Sequence, residues 1–269
     1  MPGRGRDALS TSPKDIADLR RHCRYLTACI SGRSVQSTYD KLIDYRYFYV
    51  QDDVGKYACG IAREAAARQL RCFGIDKFGD KNFLIALDDY IGNPSVTGFF
   101  IEQAVLSSIA SRGLNVSKEI SGPMTIVMFA EKYPIFDKDI SEAVLYCPLK
   151  FNYGGIDGII VRFDHSEGKC FMFPLQVTVA KSHSDSEEVF FSEWSGWTKY
   201  LDGFEIVPEF LWITPEGPST KNVDENSRST RSGNRSIWPS YTSQNVPLSK
   251  VNQDIWECYE RALEKKKKG

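Results

Sequence analysis

Residues 156 to 180, IDGIIVRFDHSEGKCFMFPLQVTVA, decide the reading of this chain. They hold two apolar, β-rich runs, 156 to 163 and 170 to 180, with turn chemistry between them, and so predict two successive strands. Gln176 and Thr178 interrupt the second run. Two apart on a strand, their side chains emerge on one face, while Val177 points the other way into the core. A polar pair on so apolar a strand must find partners, or cost ~1–3 kcal/mol for each unsatisfied group. Two sets of partners serve: neighbouring backbone, or a metal and its waters. Asp157 opens the first strand between Gly155 and Gly158, where small neighbours let a ligand or metal come close to the backbone.

Outward from this pair, further strand-like runs lie at 124 to 130, 144 to 151 and 209 to 214, and an amphipathic stretch at 187 to 201. Ahead of them, residues 95 to 114 (SVTGFFIEQAVLSSIASRGL) predict a helix apolar nearly all round and therefore buried, with Glu102 set among Phe99, Phe100, Ile101, Val105 and Leu106, and with Gly113 as its stop. The fold class is α/β: a mixed central sheet flanked by helices over 94 to 214. Residues 14 to 93 form an N-terminal helical segment, with helices at 14 to 30, 56 to 73 and 81 to 92 and an aromatic strand or extended loop at 39 to 53; residues 1 to 13 are expected to be disordered. No glycine-rich phosphate loop of either known pattern occurs there. Residues 215 to 236 hold almost no apolar side chain and predict a mobile loop, either disordered or a substrate-facing flap. An extended piece (237 to 248) and a helix (250 to 267) ending in Lys265 to Lys268 complete the chain. That lysine cluster suits a nuclear-import patch and a helix C-terminus equally.

Lys and Arg number 34 against 35 Asp and Glu, so no whole-molecule field draws a polyanion and any such contact is a local patch. The seven cysteines are scattered with no C-x-x-C pair, which argues against a disulfide framework or a zinc site and for small buried hydrophobes. No run approaches the ~20 apolar residues of a membrane span. A soluble protein of the nucleus or cytoplasm, of its own or of a host cell, is the expectation.

The order of helix with Glu102, strand opening at Asp157, strand with Gln176-Val177-Thr178, then helix and strand resembles the PD-(D/E)XK, or restriction-endonuclease-like, core. IDGIIVRF followed by FPLQVTVAKSHS is similar to the C-terminal nuclease-like module of Crinkler effectors and Retrotransposon Hot Spot proteins, with Gln176 to His183 the most specific part. The stretch from about 45 to 114 resembles the segment that in those proteins joins an ATPase to the module. The resemblance implies a metal-dependent phosphodiesterase in which Asp157, Glu102 and the Val177 carbonyl hold Mg²⁺ or Mn²⁺. It also implies nucleic acid, DNA ahead of RNA, as partner, or a host nuclear protein if the module binds without cutting. Two departures stand out: Gln176 replaces a carboxylate, and Thr178 replaces the lysine that polarises the attacking water. Lys181 and His183 follow, and strand alternation favours His183 as the stand-in. Contact with nucleic acid would use Lys150, Arg162, Lys181, Lys199 and the Arg228, Arg231, Arg235 loop. Trp194 and Trp197, three apart, serve either as stacking surfaces or as core.

Overall fold

The computed structural model describes residues 48–51, 54–57, 94–150, 153–179, 185–215, 217, 219–224, 226–229 and 235–268. The expectations for 1 to 13, 14 to 30 and 81 to 92, and the candidates Lys181, His183 and Arg231, lie outside these residues. The chain divides into two compact units, Met1–Ala66 and Ala67–Gly269. In the first, β1 (Phe48–Gln51) pairs antiparallel with β2 (Val54–Tyr57). Lys56 and Tyr57, expected to open a helix, are instead strand: they pair with Tyr49 and Phe48, and that pairing outweighs the helical propensity of the alanines that follow.

The second unit begins, among described residues, with α1 (Pro94–Arg112), whose proline suits a first helical turn. From Ile101 to Ala110 only Glu102 escapes burial, as the apolar pattern predicted. Gly113 ends the helix at φ 76°, its N–H donating to the Ile109 carbonyl at 2.8 Å, an αL stop that glycine adopts without strain. Six further strands and a return from the C-terminus build one sheet: β3 (Thr125–Phe129), β4 (Val144–Pro148), β5 (Gly158–Asp164), β6 (Lys169–Val177), β7 (Glu205–Thr214), β8 (Ser219–Val223) and β11 (Tyr241–Pro247), in spatial order β3-β4-β5-β6-β7-β11-β8. β4, β5 and β6 run as an antiparallel meander, β6 and β7 are parallel, and so are β3 with β4 and β7 with β11. Between β6 and β7 the chain forms α2 (Ser186–Ser192) and α3 (Trp194–Thr198); α4 (Leu248–Val251) and α5 (Gln253–Lys268) close it. β9 (Asn226–Ser229) and β10 (Arg235–Trp238) form a separate hairpin.

Strand alternation gives the sheet two apolar faces. Val144, Tyr146, Ile159, Val161, Met172 and Phe210 join Phe190, Phe191 and Trp197 of α2 and α3 in one cluster. Leu145, Ile160, Phe173, Leu175 and Ile213 are buried on the other face, where Leu106 of α1 lies against Gly158. Asn252 ties this helical layer together, its Nδ2 donating to Ser108 Oγ at 2.9 Å. Cys147, Cys170 and Cys258 are buried, and burial pushes the Cys170 thiol up to about 12, so it packs as a hydrophobe.

The sheet extends past residue 214, where the core was expected to end. β11 slots between β7 and β8, and residues 215 to 236, expected as a loop, supply β8 and β9. β8 is an edge strand whose first four residues are exposed, so it needs backbone pairing and no apolar side chains. On β7, burial, with the Glu119 carboxylate adding to it, holds the Glu209 carboxyl above the usual range. A raised folded value means that the stability contributed by the protonated form is fully present below the unfolded value of ~4.3 and is lost as pH rises through the folded value. Glu209→Gln is therefore expected to raise the urea midpoint at pH 7, with the gain shrinking as pH is lowered toward 4. An unchanged midpoint at both pH values would show that the carboxyl is fully solvated.

Candidate functional site

The β5–β6 ladder builds the site. Gly158, the first residue of β5, pairs with Leu175, and the Asp157 N–H just ahead of it also donates to the Leu175 carbonyl at 2.8 Å, one residue out of the ladder's register as at a β-bulge. One carboxylate oxygen of Asp157, Oδ2, accepts from Gln176 Nε2 at 2.7 Å and from the Val177 N–H at 2.8 Å. The same amide nitrogen reaches the Val177 carbonyl at 3.3 Å. A carboxylate oxygen and a backbone carbonyl thus converge on one donor. All three residues are half-buried, Val177 included, although the alternation of the strand predicted it in the core. Gln176 therefore takes one of the expected sets of partners, neighbouring backbone, and adds one that was not expected, the Asp157 side chain.

Thr178 is 9% exposed, and its N–H donates to the Ile213 carbonyl at 3.0 Å, carrying the β6–β7 ladder one residue past β6. Where the resemblance expects a charge, there is a buried hydroxyl. Glu102 is half-buried on α1, its Oε1 accepting from Gln103 Nε2 at 2.7 Å. It lies one helical turn before Leu106, the residue packed against Gly158. Gln103 is wholly buried, and its own Oε1 has no hydrogen-bond partner among the described residues.

The oxygens of Asp157 and Val177 are hard donors of the kind that Mg²⁺ and Mn²⁺ take, and Mg²⁺ keeps several waters rather than filling an all-protein shell. A site of that sparse type fits these residues. Among the described residues no group of three or more His, Cys, Asp or Glu side chains is gathered as a metal cage.

The basic residues expected to meet nucleic acid separate along the molecule. β4 ends at Pro148, which the register Val144↔Val161 and Tyr146↔Ile159 places opposite Asp157, so Lys150 belongs to the site end of the sheet. Arg162 is five residues along β5 from Asp157, about 17 Å away at strand rise. Arg228 and Arg235 are on the β9–β10 hairpin, and Lys199 lies over the Tyr200 ring at the end of α3. Trp197 is buried in the core cluster with Trp194 packed against it, which decides for core over stacking.

Sequence reasoning missed Glu187. Its Oε1 accepts from Trp212 Nε1 at 2.6 Å and Ser243 Oγ at 2.6 Å, and its Oε2 from Tyr241 Oη at 2.8 Å. These bonds fasten α2 to β7 and β11, and Trp212 is the cross-strand neighbour of Gln176. A glutamate in the first turn of a helix reads as solvated, so nothing local announces this role. Comparison of the chain with protein-family models, with curated proteins and with solved structures finds no match.

Proposed function

We propose that the chain is a divalent-metal-dependent phosphodiesterase that cuts nucleic acid, DNA ahead of RNA, in the manner of a Crinkler-like intracellular effector. The observation that carries this reading is the Asp157 carboxylate, clamped by Gln176 and the Val177 N–H beside the Val177 carbonyl. The order α1, antiparallel β4-β5-β6, α2 and α3, then β7 parallel to β6 supports a restriction-endonuclease-like core. The carboxyl ends of the parallel strands β6 and β7 lie at the same end of the sheet as Asp157, which is where open α/β sheets bind ligands.

In this reading Asp157, the Val177 carbonyl and Glu102 hold Mg²⁺ or Mn²⁺. The ion supplies a hydroxide nucleophile at neutral pH and neutralises charge on the phosphoryl oxygens. Gln176 fixes the orientation of the Asp157 carboxylate, and it leaves the site one negative charge poorer than a carboxylate would. Thr178 cannot supply the missing cation, which leaves His183, ahead of Lys181, to orient the attacking water.

The test is cleavage of plasmid DNA and single-stranded RNA in Mn²⁺, Mg²⁺ or EDTA. Asp157→Ala is expected to slow metal-dependent cutting by at least about 100-fold, the scale of losing one transition-state stabiliser. His183→Ala should act in the same direction if it is the stand-in for lysine. A second reading, a nuclease-fold module that binds without cutting, draws on the Gln176 amide, which already fills the point between the two oxygens. Binding in EDTA by well-folded protein that never cuts, unchanged by Asp157→Ala, would establish it.

A further inference from the structure

Beside the Asp157 clamp the sheet end holds a cavity of about 410 Å³, within the range of small-molecule sites. Its floor is aromatic: Phe129 at the end of β3, Phe190 of α2 and Trp197 of α3 are buried, while Tyr153 stays half-exposed. The Tyr153 ring is held edge-on to Phe129 and Trp197, with centroids 5.6 and 6.2 Å away, and its hydroxyl donates to the Lys132 carbonyl. Burial pushes that phenol up to about 12, so it remains a neutral donor and the ring keeps its place. The rim is charged. Lys150 lines it, and Lys132 Nζ meets Glu193 Oε1 at 3.0 Å, the other oxygen of Glu193 accepting from Tyr133 Oη at 2.9 Å.

The chain itself ties this cavity to Asp157: Gly154 lines it three residues earlier, a span of at most about 11 Å. A flat apolar platform within about 11 Å of Asp157, its rim carrying Lys132 and Lys150 beside Glu131 and Glu193, suits a planar ring whose phosphate reaches a rim lysine.

We propose that the cavity receives the unpaired base of the nucleotide next to the scissile phosphate, stacked on Tyr153, with Lys150 on its phosphate. The choice of a nucleotide over other flat anions rests on the phosphodiesterase reading. A base buried in this way must be out of the duplex stack, so the substrate class is single-stranded or frayed nucleic acid.

The test uses the full chain in EDTA, with deoxyadenosine monophosphate, deoxyribose 5-phosphate and inorganic phosphate as probes, read by calorimetry. The mononucleotide is expected to bind at least about fivefold more tightly than either probe lacking the base, the low end of what a stacked base contributes. Lys150→Ala and Tyr153→Leu should weaken it severalfold. Tyr153→Phe, which keeps the platform, should bind like the wild type. Val189→Trp fills the cavity from a position already 42% exposed, so it spares the core and should abolish binding. Asp157→Ala should leave binding intact. Equal affinity for all three probes, or wild-type binding by Val189→Trp, overturns the cavity proposal. A protein that cuts but binds no mononucleotide overturns this proposal alone; one that binds but never cuts overturns the phosphodiesterase reading and leaves the cavity as a nucleotide site.

Discussion

Gly113→Ala is expected to cost about 2–5 kcal/mol of unfolding free energy, combining the αL penalty of a side-chain-bearing residue with a backbone collision. Gly113 has φ 76°, and a Cβ placed there would stand 2.6 Å from both the amide nitrogen and the carbonyl oxygen of Gly122. Backbone cannot swing aside as a side-chain tip can. The turn it guards returns the chain from α1 to β3, with the Leu114 N–H on the Ile120 carbonyl at 2.7 Å and the Met124 N–H on the Ala110 carbonyl at 2.8 Å. Urea unfolding followed by circular dichroism measures the loss. Gly98 in the same helix is the control, since nothing among the described residues lies within 4 Å of its absent Cβ. Gly98→Ala should stabilise by roughly 0.5–1 kcal/mol. A Gly113→Ala protein within 0.5 kcal/mol of wild type, an interval set by ordinary surface substitutions of about that size, would mean that the turn is not built as described.

Trp197→Ala should cost about 3–5 kcal/mol, the range for truncating a large buried aromatic. Trp197 is 3% exposed, and its ring meets Phe190 at 4.9 Å, Tyr133 at 5.2 Å and Tyr153 at 6.2 Å between centroids. The indole therefore joins α3 to the sheet and supports the floor on which Tyr153 rests. Trp197→Phe retains most of the apolar area and should lose less than half as much. A loss below about 1 kcal/mol would place the ring at the surface, the scale of an exposed substitution, and return the stacking role to it.

Periodicity carried the reading where the chemistry was local. The runs at 144 to 151, 156 to 163 and 170 to 180 became β4, β5 and β6 within a few residues of their expected bounds. Because β5 and β6 are joined by a short turn, their positions alone bring Asp157 and Gln176 to the same end of the ladder, but the 2.7 Å contact between them depends on a one-residue slip at Asp157 that no local pattern shows. The extended piece expected at 237 to 248 contains β11, but neither its place in the sheet nor β8 was legible. Their pairing spans the sequence from Glu209 to Thr242, and it is selected by the open edge of β7 rather than by any local pattern. Glu187 was hidden for the same reason: its three donors lie on residues 25 to 56 positions away. The Oε1 of Gln103, without a hydrogen-bond partner among the described residues, is likewise invisible to composition, since glutamine is ordinarily a surface residue.

The insertion of β11 between β7 and β8 sets an order of events on the ribosome. β7 carries Phe210, Leu211 and Ile213, and its second edge stays bare until Tyr241–Pro247 has been made. During that interval a nascent chain presents an apolar strand with unmet hydrogen bonds, the feature that chaperones recognise and that seeds edge-to-edge association. Synthesis pausing within residues 215 to 240 would lengthen that exposure, so translation speed through the polar stretch governs how much of the protein arrives folded.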